Sequence, residues 1–316
     1  MVKIITVTLN PALDCSSTTP RIIADGKLRC TQPVFEPGGG GVNVSRVIHR
    51  LGGDSVAIYP AGGSSGEHLT QLLVAEGVTT QVFACKKWTR QNLNVVTTHD
   101  NAQYRFIMPG ADLSHAEQNE FMAIFNDHQS AQYCVISGSV PDGMSDHLVT
   151  DIIQYCQLHN IKVIYDGSGP SLENAVKGGG LYLIKPNANE LAALTGAEYL
   201  QPDELEAKAK QIIDLGQAQV VVVSLGPQGA LLVTKNICEQ IVPPRVQKNS
   251  TVGAGDSMVG ATILALARGE TIREATRRGV AAGTAATMNH GSELCKAEDV
   301  ETIYQWILKK HPLTEK

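Results

Sequence analysis

Tyr133-Cys134-Val135-Ile136-Ser137 is followed by a helical pattern near residues 145–159, and then by Lys162-Val163-Ile164-Tyr165-Asp166 and Leu181-Tyr182-Leu183-Ile184-Lys185. Short β-rich runs alternating with helices read as βαβ units, and βαβ units make a parallel sheet. Val220-Val221-Val222-Val223-Ser224 adds a further strand of the same kind. A parallel sheet must be covered on both faces. Helical patterns near 255–268, 271–288 and 297–310 supply cover, and Met1 to Thr8 reads as an N-terminal strand. Residues 13–35 and 88–108 read differently. The alternation in Asn92-Leu93-Asn94-Val95-Val96-Thr97 and Tyr104-Arg105-Phe106-Ile107 suggests exposed antiparallel strands with no intervening helix, which would form a small lid. With no internal repeat and no Pro- or Ser-rich linker, the expectation is one α/β domain over residues 1–316 carrying an inserted lid.

The chain has 316 residues, enough for one large core, and its 43% hydrophobic and 18% charged content is that of a globular protein. A net charge of −5 argues against general nucleic-acid binding, so an anionic ligand must be held by local charge. Seven scattered cysteines without a C-x-x-C pair fit a reducing compartment. The N-terminus lacks the pattern of a signal peptide, and the uncharged run 215–234 is broken by glycines and a proline. The expectation is a cytoplasmic protein with no membrane role. None of the nine histidines stands at a metal-ligand spacing from a cysteine or an acid.

Ligands of open α/β sheets lie beyond the carboxyl ends of the strands, where Asp14, Ser139, Asp166, Lys185 and Gly226 fall. The strongest local signal is Thr251-Val252-Gly253-Ala254-Gly255-Asp256-Ser257-Met258-Val259-Gly260, small residues leading into an apolar helix. Backbone amides and the helix dipole at such a turn make an anion hole. Asp256 is then either the helix N-cap or a base that accepts a hydroxyl proton, and its own turn does not decide between them. The segment is neither a Walker A loop nor a dinucleotide fingerprint. A second cluster, Pro37-Gly38-Gly39-Gly40-Gly41-Val42-Asn43-Val44-Ser45, also precedes a helix and permits close backbone approach to a ligand; the plain alternative is a flexible loop. Two such junctions in one chain point toward phosphate chemistry.

Gly38-Gly39-Gly40-Gly41-Val42-Asn43-Val44-Ser45, Lys185-Pro186-Asn187-x-x-Glu190 and Thr251-Val252-Gly253-Ala254-Gly255-Asp256-Ser257 resemble the two signatures and the middle motif of the ribokinase family. Within it the chain is most similar to the phosphofructokinase-B branch. The carriers are Phe35-Glu36-Pro37 before the glycines, Trp88-Thr89-Arg90-Gln91-Asn92 and Tyr104-Arg105-Phe106-Ile107-Met108-Pro109-Gly110. The resemblance implies a ribokinase-like three-layer α/β/α sandwich with a β-sheet lid, ATP and Mg²⁺ as cofactors, and Asp256 as base. The amides of Gly253, Ala254 and Gly255 would steady the transferring phosphoryl group. It implies that Asn187 and Glu190 organise Mg²⁺ largely through water, while as plain sequence the pair reads as a helix cap. Lys185 and Thr251 would meet nucleotide phosphate, and Ser224, Gly226, Pro227, Gly229, Gly283 and Asn289 would flank the adenosine; the Gly226–Gly229 run also reads as a hairpin turn.

On the sugar side the resemblance implies Asp14 and Asn43 for the hydroxyls and Gly39 for close approach. Lys27, Arg90, Arg105 and Ser139 would hold the phosphate the sugar already carries, with Lys27 acting across a homodimer joined through the lid. Residues Ser250, Val252, Ala286, Asn289 and Gly291 resemble a monovalent-cation site, which makes a potassium requirement a hypothesis. The implied reaction is phosphorylation of fructose 6-phosphate at its 1-hydroxyl. Tagatose-6-phosphate kinase and 1-phosphofructokinase are the nearest alternatives; the latter resembles A-G-K-G-x-N at the first signature and lacks the equivalent of Arg105. A non-catalytic sugar-nucleotide sensor on the same fold is a different class, disfavoured by the intact Asp256, Asn187 and Glu190. A dehydrogenase is disfavoured by the missing fingerprint.

Overall fold

The computed structural model describes residues 3–144, 147–289 and 293–310. Its first half contains β1 (Ile4–Val7), β2 (Ala12–Thr19), β3 (Val34–Gly38), α1 (Gly40–Arg50), β4 (Val56–Ala61), α2 (Gly63–Ala75), β5 (Thr79–Ala84), β6 (Arg90–Thr97), β7 (Gln103–Phe106) and α3 (His115–Ala123). There follow β8 (Tyr133–Ser137), α4 (His147–Leu158), β9 (Lys162–Asp166), α5 (Gly169–Gly178), β10 (Leu181–Ile184), α6 (Ala188–Leu194), α7 (Leu205–Asp214) and β11 (Ala218–Ser224). The chain closes with β12 (Ala230–Thr234), β13 (Cys238–Ile241), α8 (Ala254–Ala267), α9 (Ile272–Thr287) and α10 (Ala297–Lys310). The start of the helix expected from residue 145 lies outside the described residues.

Nine strands form the main sheet in the order β13-β12-β11-β10-β9-β8-β1-β4-β5. From β11 to β5 every pairing is parallel, while β12 and β13 extend one edge antiparallel. Side chains alternate between two apolar faces, so the strands read as continuous hydrophobic runs. Tyr133, Val135, Val220 and Val222 face α1, α8, α9 and α10. Cys134, Ile136, Val221 and Val223 face α4, α5 and α7. The result is the three-layer α/β/α arrangement.

A separate four-stranded sheet has the order β3-β2-β6-β7. It corrects the expectation of wholly antiparallel strands: β2 pairs with β6 in parallel, in register from Ala12↔Arg90 to Thr19↔Thr97. The cause is the path of the chain, which passes through α1, β4, α2 and β5 of the main body between β2 and β6 and so re-enters in the same direction. The outer pairs, β2 with β3 and β6 with β7, are antiparallel.

Two helices determine where the chemistry can sit. α1 and α8 pack side by side, and a Cβ at Gly260 would stand 2.7 Å from Val47 Cγ1 and 3.1 Å from the Val44 carbonyl oxygen. Only hydrogen at that position permits this separation. Near their N-termini, Asn43 Nδ2 of α1 donates to Asp256 Oδ2 of α8 at 2.9 Å. Contacts at 43 with 256 and at 47 with 260 mean that the helices run parallel, so both positive dipole ends converge on one place. α1 is itself held in by its glycines. A Cβ on Gly41 would lie 2.5 Å from the Val7 carbonyl oxygen, so the run is a tight junction against β1, and the flexible-loop alternative falls away.

Candidate active site

Asp256 is the third residue of α8, whose N-cap is Gly253 at φ 72° with no side-chain cap. The N-cap reading of Asp256 is therefore corrected: a left-handed glycine opens the helix, and the carboxylate is turned toward Asn43. Burial pushes its pKa up to about 6; Asp166 adds to the rise, and the Asn43 hydrogen bond, Lys185 and Arg46 oppose it. A carboxylate with that pKa is largely ionised at neutral pH yet basic enough to take a proton. The first amides of α8 have no intrahelical acceptor. Ala254 N makes one long bond to Thr251 O at 3.4 Å.

Lys185, just past β10, forms an ion pair with Asp166 at the end of β9, Nζ to Oδ1 3.0 Å, with the two side chains 11% and 14% exposed. Burial works to lower the lysine's pKa, but Asp166, Asp256 and Glu190 together leave it raised. Lys185 also stands against the first turn of α8, since a Cβ on Gly255 would be 3.3 Å from its Nζ. From there a cavity of about 500 Å³ opens, lined by Lys185, Thr251, Ala254 and Gly255 at one end and by Ser224, Gly226, Pro227, Gly229 and Gly283 farther along. The turn Gly226–Gln228 is both the hairpin between β11 and β12 and a wall of this cavity, so its two readings coexist.

Asn187 caps α6 in a reciprocal box: Asn187 Oδ1 accepts from Glu190 N at 2.9 Å, and Glu190 Oε2 accepts from Asn187 N at 2.8 Å. The capping role is thus observed. Asn187 also bridges to Ser224, which lines the cavity. Among the described residues no three His, Cys, Asp or Glu side chains gather to enclose a metal.

On the other side of the turn 251–255, a small pocket is lined by Asp14, Asn92, Arg105 and Val252. Asp14 accepts from Asn92 Nδ2 at 2.8 Å, its cross-strand partner in the β2–β6 register. Burial raises the Asp14 pKa against the pull of Asn92, Arg90 and Arg105. Arg90 spends Nη2 on Asn10 O at 3.0 Å and Nη1 on Met108 O at 3.4 Å. Burial lowers its pKa, with Asp14 opposing. Arg105, on β7, is exposed. Ser139 accepts from Asn10 Nδ2 at 2.9 Å, and Gly39 adopts φ 112°, where a Cβ would strike Thr8 Cγ2 at 2.7 Å.

Not every expected residue joins this cluster. Lys27 lines a different cleft with Arg21, Arg29 and His99, away from Asp14 and Arg105 of the same chain. The buried Asn289 side chain donates to Leu294 O at 3.0 Å and does not line the large cavity. Of the residues expected to hold a monovalent cation, Ser250 N bonds Thr287 O at the end of α9, Val252 N bonds Ser250 Oγ, and Ala286 O accepts from Asn289 N. That brings these four near one another, while Gly291 lies outside the described residues. Asp166 had no expected role, although its place at a strand end was visible; its pairing with Lys185 was not. Arg245 and Lys248 line the large cavity from the segment after β13 and were likewise assigned nothing. The signal for them was basic charge within a Pro-containing connection.

Two helix N-termini aimed at one carboxylate, between two pockets, is an arrangement suited to moving a phosphoryl group onto a small polar acceptor. Residues 7–299 match the model of the pfkB family of carbohydrate kinases, and the chain belongs to that family. It is 49% identical over 307 residues to ATP-dependent 6-phosphofructokinase isozyme 2 of Escherichia coli, covering 97% of this chain and 99% of the relative. Solved structures of phosphofructokinase-2 from Escherichia coli superpose with a TM-score of 0.94 for the complex with potassium and 0.92 for the complex with fructose-6-phosphate. Their identities are 49% and 48%, and each covers 97% of this chain and 99% of the solved one.

Proposed function

We propose that this chain is an ATP-dependent 6-phosphofructokinase, transferring the γ-phosphoryl group of ATP to the 1-hydroxyl of fructose 6-phosphate. The observation that supports it best is the turn 251–255 as a shared wall: Thr251, Ala254 and Gly255 line the large cavity, and Val252 lines the pocket of Asp14 and Arg105. In this reading the cavity takes ATP with its phosphates at Lys185 and the first turn of α8. The sugar lies across Asp14, Asn43 and Gly39, with its 6-phosphate toward Arg90, Arg105 and Ser139. Asp256 accepts the proton of O1 as that oxygen bonds to the γ-phosphorus and ADP departs. The amides of Gly253, Ala254 and Gly255 hold the charge on the moving group.

The donor set suits Mg²⁺, which keeps much of its water and needs only one or two carboxylates beside the phosphates. Asn187 and Glu190 would hold it through water, Glu190 retaining an oxygen beyond its capping bond. When bound, the ion would neutralise charge on the nucleotide phosphates. The second sheet serves as the lid of a single domain over 1–316. Its exposed Val34, Tyr104 and Phe106, with Ile107 just beyond β7, suit a homodimer through the lid, which would bring Lys27 of one copy toward the other's sugar site. Among the described residues no helix is long and apolar enough to cross a membrane. With all seven cysteines free, a cytoplasmic setting is the one we infer.

Purified protein with MgATP tested against fructose 6-phosphate, tagatose 6-phosphate, fructose 1-phosphate and unphosphorylated sugars decides the substrate. The highest kcat/KM is expected for fructose 6-phosphate, and a preference for any other sugar overturns the assignment. Arg105→Ala should raise KM for the phosphorylated sugar by roughly tenfold or more, the weight of a charge-assisted phosphate contact, while KM for ATP changes little. An unchanged sugar KM removes Arg105 from the phosphate clamp. We also propose that Ser250, Val252, Ala286, Asn289 and Gly291 bind potassium. Turnover should then be faster in K⁺ than in a large organic cation at the same ionic strength, and equal rates would dismiss the site.

A further inference from the structure

The carboxylate of Asp256 is held by an amide that is itself held from behind. Arg46, one turn along α1 from Asn43, is a buried guanidinium with 2% exposure. Its Nε donates to Glu76 Oε2 at 2.8 Å and its Nη2 to Glu76 Oε1 at 2.7 Å, a two-pronged pair. The remaining nitrogen, Nη1, donates to the Pro37 carbonyl at 3.0 Å and to Asn43 Oδ1 at 3.2 Å. Asn43 Nδ2 then donates to Asp256 Oδ2. A chain of contacts therefore runs from the C-cap of α2 through α1 to the first turn of α8.

The chemistry of that chain has only one consistent direction. A guanidinium donates and cannot accept, so the Asn43 atom facing it must be the oxygen. The amide nitrogen is thereby turned to the carboxylate, which when ionised only accepts. Without Arg46 only Asp256 itself selects the amide nitrogen, and the flipped amide, whose oxygen can accept from a protonated Asp256, becomes competitive. A hydrogen bond that favours the protonated acid disfavours the ionised carboxylate and loosens its orientation.

We propose that Arg46 is a positioning residue: clamped by Glu76, it orients the Asn43 amide so that Asp256 keeps Oδ2 hydrogen-bonded and Oδ1 directed to the acceptor hydroxyl. This rests on the reading of Asp256 as the base. The charged groups facing Asp256 are Asp166 and Lys185 from the strand ends and Arg46 from α1. Those facing Glu76 are Arg46, Arg50 and His49; burial alone would raise the Glu76 pKa, and the hydrogen bonds and charge of Arg46, with its neighbours, bring it below its ordinary value. The clamp thus stays ionised through the range in which Asp256 titrates.

The test compares the pH dependence of kcat/KM, with MgATP and fructose 6-phosphate, in the wild type, Arg46→Met/Glu76→Met, Asn43→Ala and the triple variant. Replacing both members of an ion pair by apolar groups of similar size leaves no uncompensated charge, so the double variant should fold with Tm near that of the wild type. Its kcat should fall about tenfold, and its acidic limb should move up by about half to one pH unit, as expected when a hydrogen bond to an ionised carboxylate is lost. In the Asn43→Ala background the same two substitutions should move the limb by less than half as much, since the amide through which Arg46 acts is gone. A lower Tm with an unmoved limb would assign Arg46 a merely structural part. An equal shift with and without Asn43 would mean that its charge acts directly through space, and either result overturns the proposal. If the double variant does not fold, Arg46→Lys keeps the charge, loses the fork, and carries the same expectations at smaller amplitude. Asp256→Asn run alongside separates the two failures: turnover surviving in that variant removes the base itself, whatever Arg46 does.

Discussion

Asp256→Asn lowers kcat by roughly 10²–10⁴, the usual weight of a lost general base, and leaves ATP binding intact. The amide retains the shape of the carboxylate and an oxygen that can still accept from Asn43 Nδ2, now 2.9 Å away in the native site. What it cannot do is take the hydroxyl proton. The same substitution is expected to stabilise the protein. In the native state the Asp256 pKa is raised to about 6 from an ordinary 3.8, chiefly by burial. A raised carboxylate favours folding below its unfolded pKa and loses that advantage as pH climbs through the folded one. At pH 7.5 the ionised Asp256 therefore costs the fold about 2 kcal/mol, somewhat less than the shift alone implies because the cleft admits water. Urea denaturation of the asparagine variant should show that gain at pH 7.5 and none below pH 4. Activity runs the opposite way: wild-type kcat/KM falls as pH drops through about 6, where the base is protonated. Near-normal turnover in the variant would sink the assignment, and a gain in stability unaccompanied by loss of turnover would leave Asp256 a buried charge and nothing more.

What could be read in the residues follows the range of the forces involved. The run from Tyr133 to Lys185 declared itself because strands buried on both faces are apolar at every position, and β8 and β9 begin and end where that run did. The unit β4, α2 and β5 did not. Residues 56–61 contain a proline, and α2 opens Gly-Ser-Ser-Gly, which by local propensity is a loop. Its helix exists because Leu69 and Leu73 pack on Ala57 and Tyr59, a tertiary contact outweighing local preference. Without that unit, nothing in residues 13–35 and 88–108 themselves calls for a parallel pairing of β2 with β6.

The site divides along the same line. Each glycine junction announced a close approach of backbone, yet nothing local said that both would meet. The meeting is made by Gly260 against Val47. Alternation placed Arg105 on a strand face opposite Tyr104 and Phe106, and it does line the pocket of Asp14. Arg46 carried one legible hint, a charge three residues from Asn43 on the same helical face, but its clamp comes from α2, an element the sequence had not revealed.

Lys185→Met carries the second large effect, because one ammonium answers two carboxylates. Lys185 pairs with Asp166 at 3.0 Å and attracts Asp256, and the three groups sit at neighbouring strand ends and the first turn of α8. Removing the cation leaves Asp166 buried without its ion-pair partner, while Asp166 already raises the pKa of Asp256. Breaking a buried pair from one side costs about 3 kcal/mol here, the lower end of the usual range, since the pair borders an open cavity. Methionine keeps most of the aliphatic length, so the loss is electrostatic and not a packing defect. Three signatures follow. The acidic limb of kcat/KM should move upward, as Asp256 loses the cation that favours its ionised form. Adding Asp166→Asn to Lys185→Met should recover most of the lost stability, because both ends of the pair are then neutral, and should draw the limb part of the way back by removing a like charge. KM for ATP should rise in the single variant and stay high in the double, since on the proposed reading the lysine alone meets the nucleotide phosphates. A double variant no more stable than Lys185→Met would show that packing around the lysine, and not its charge, holds this end of the sheet. An ATP KM restored by Asp166→Asn would mean that the uncompensated carboxylate repels the nucleotide and that Lys185 acts through Asp166.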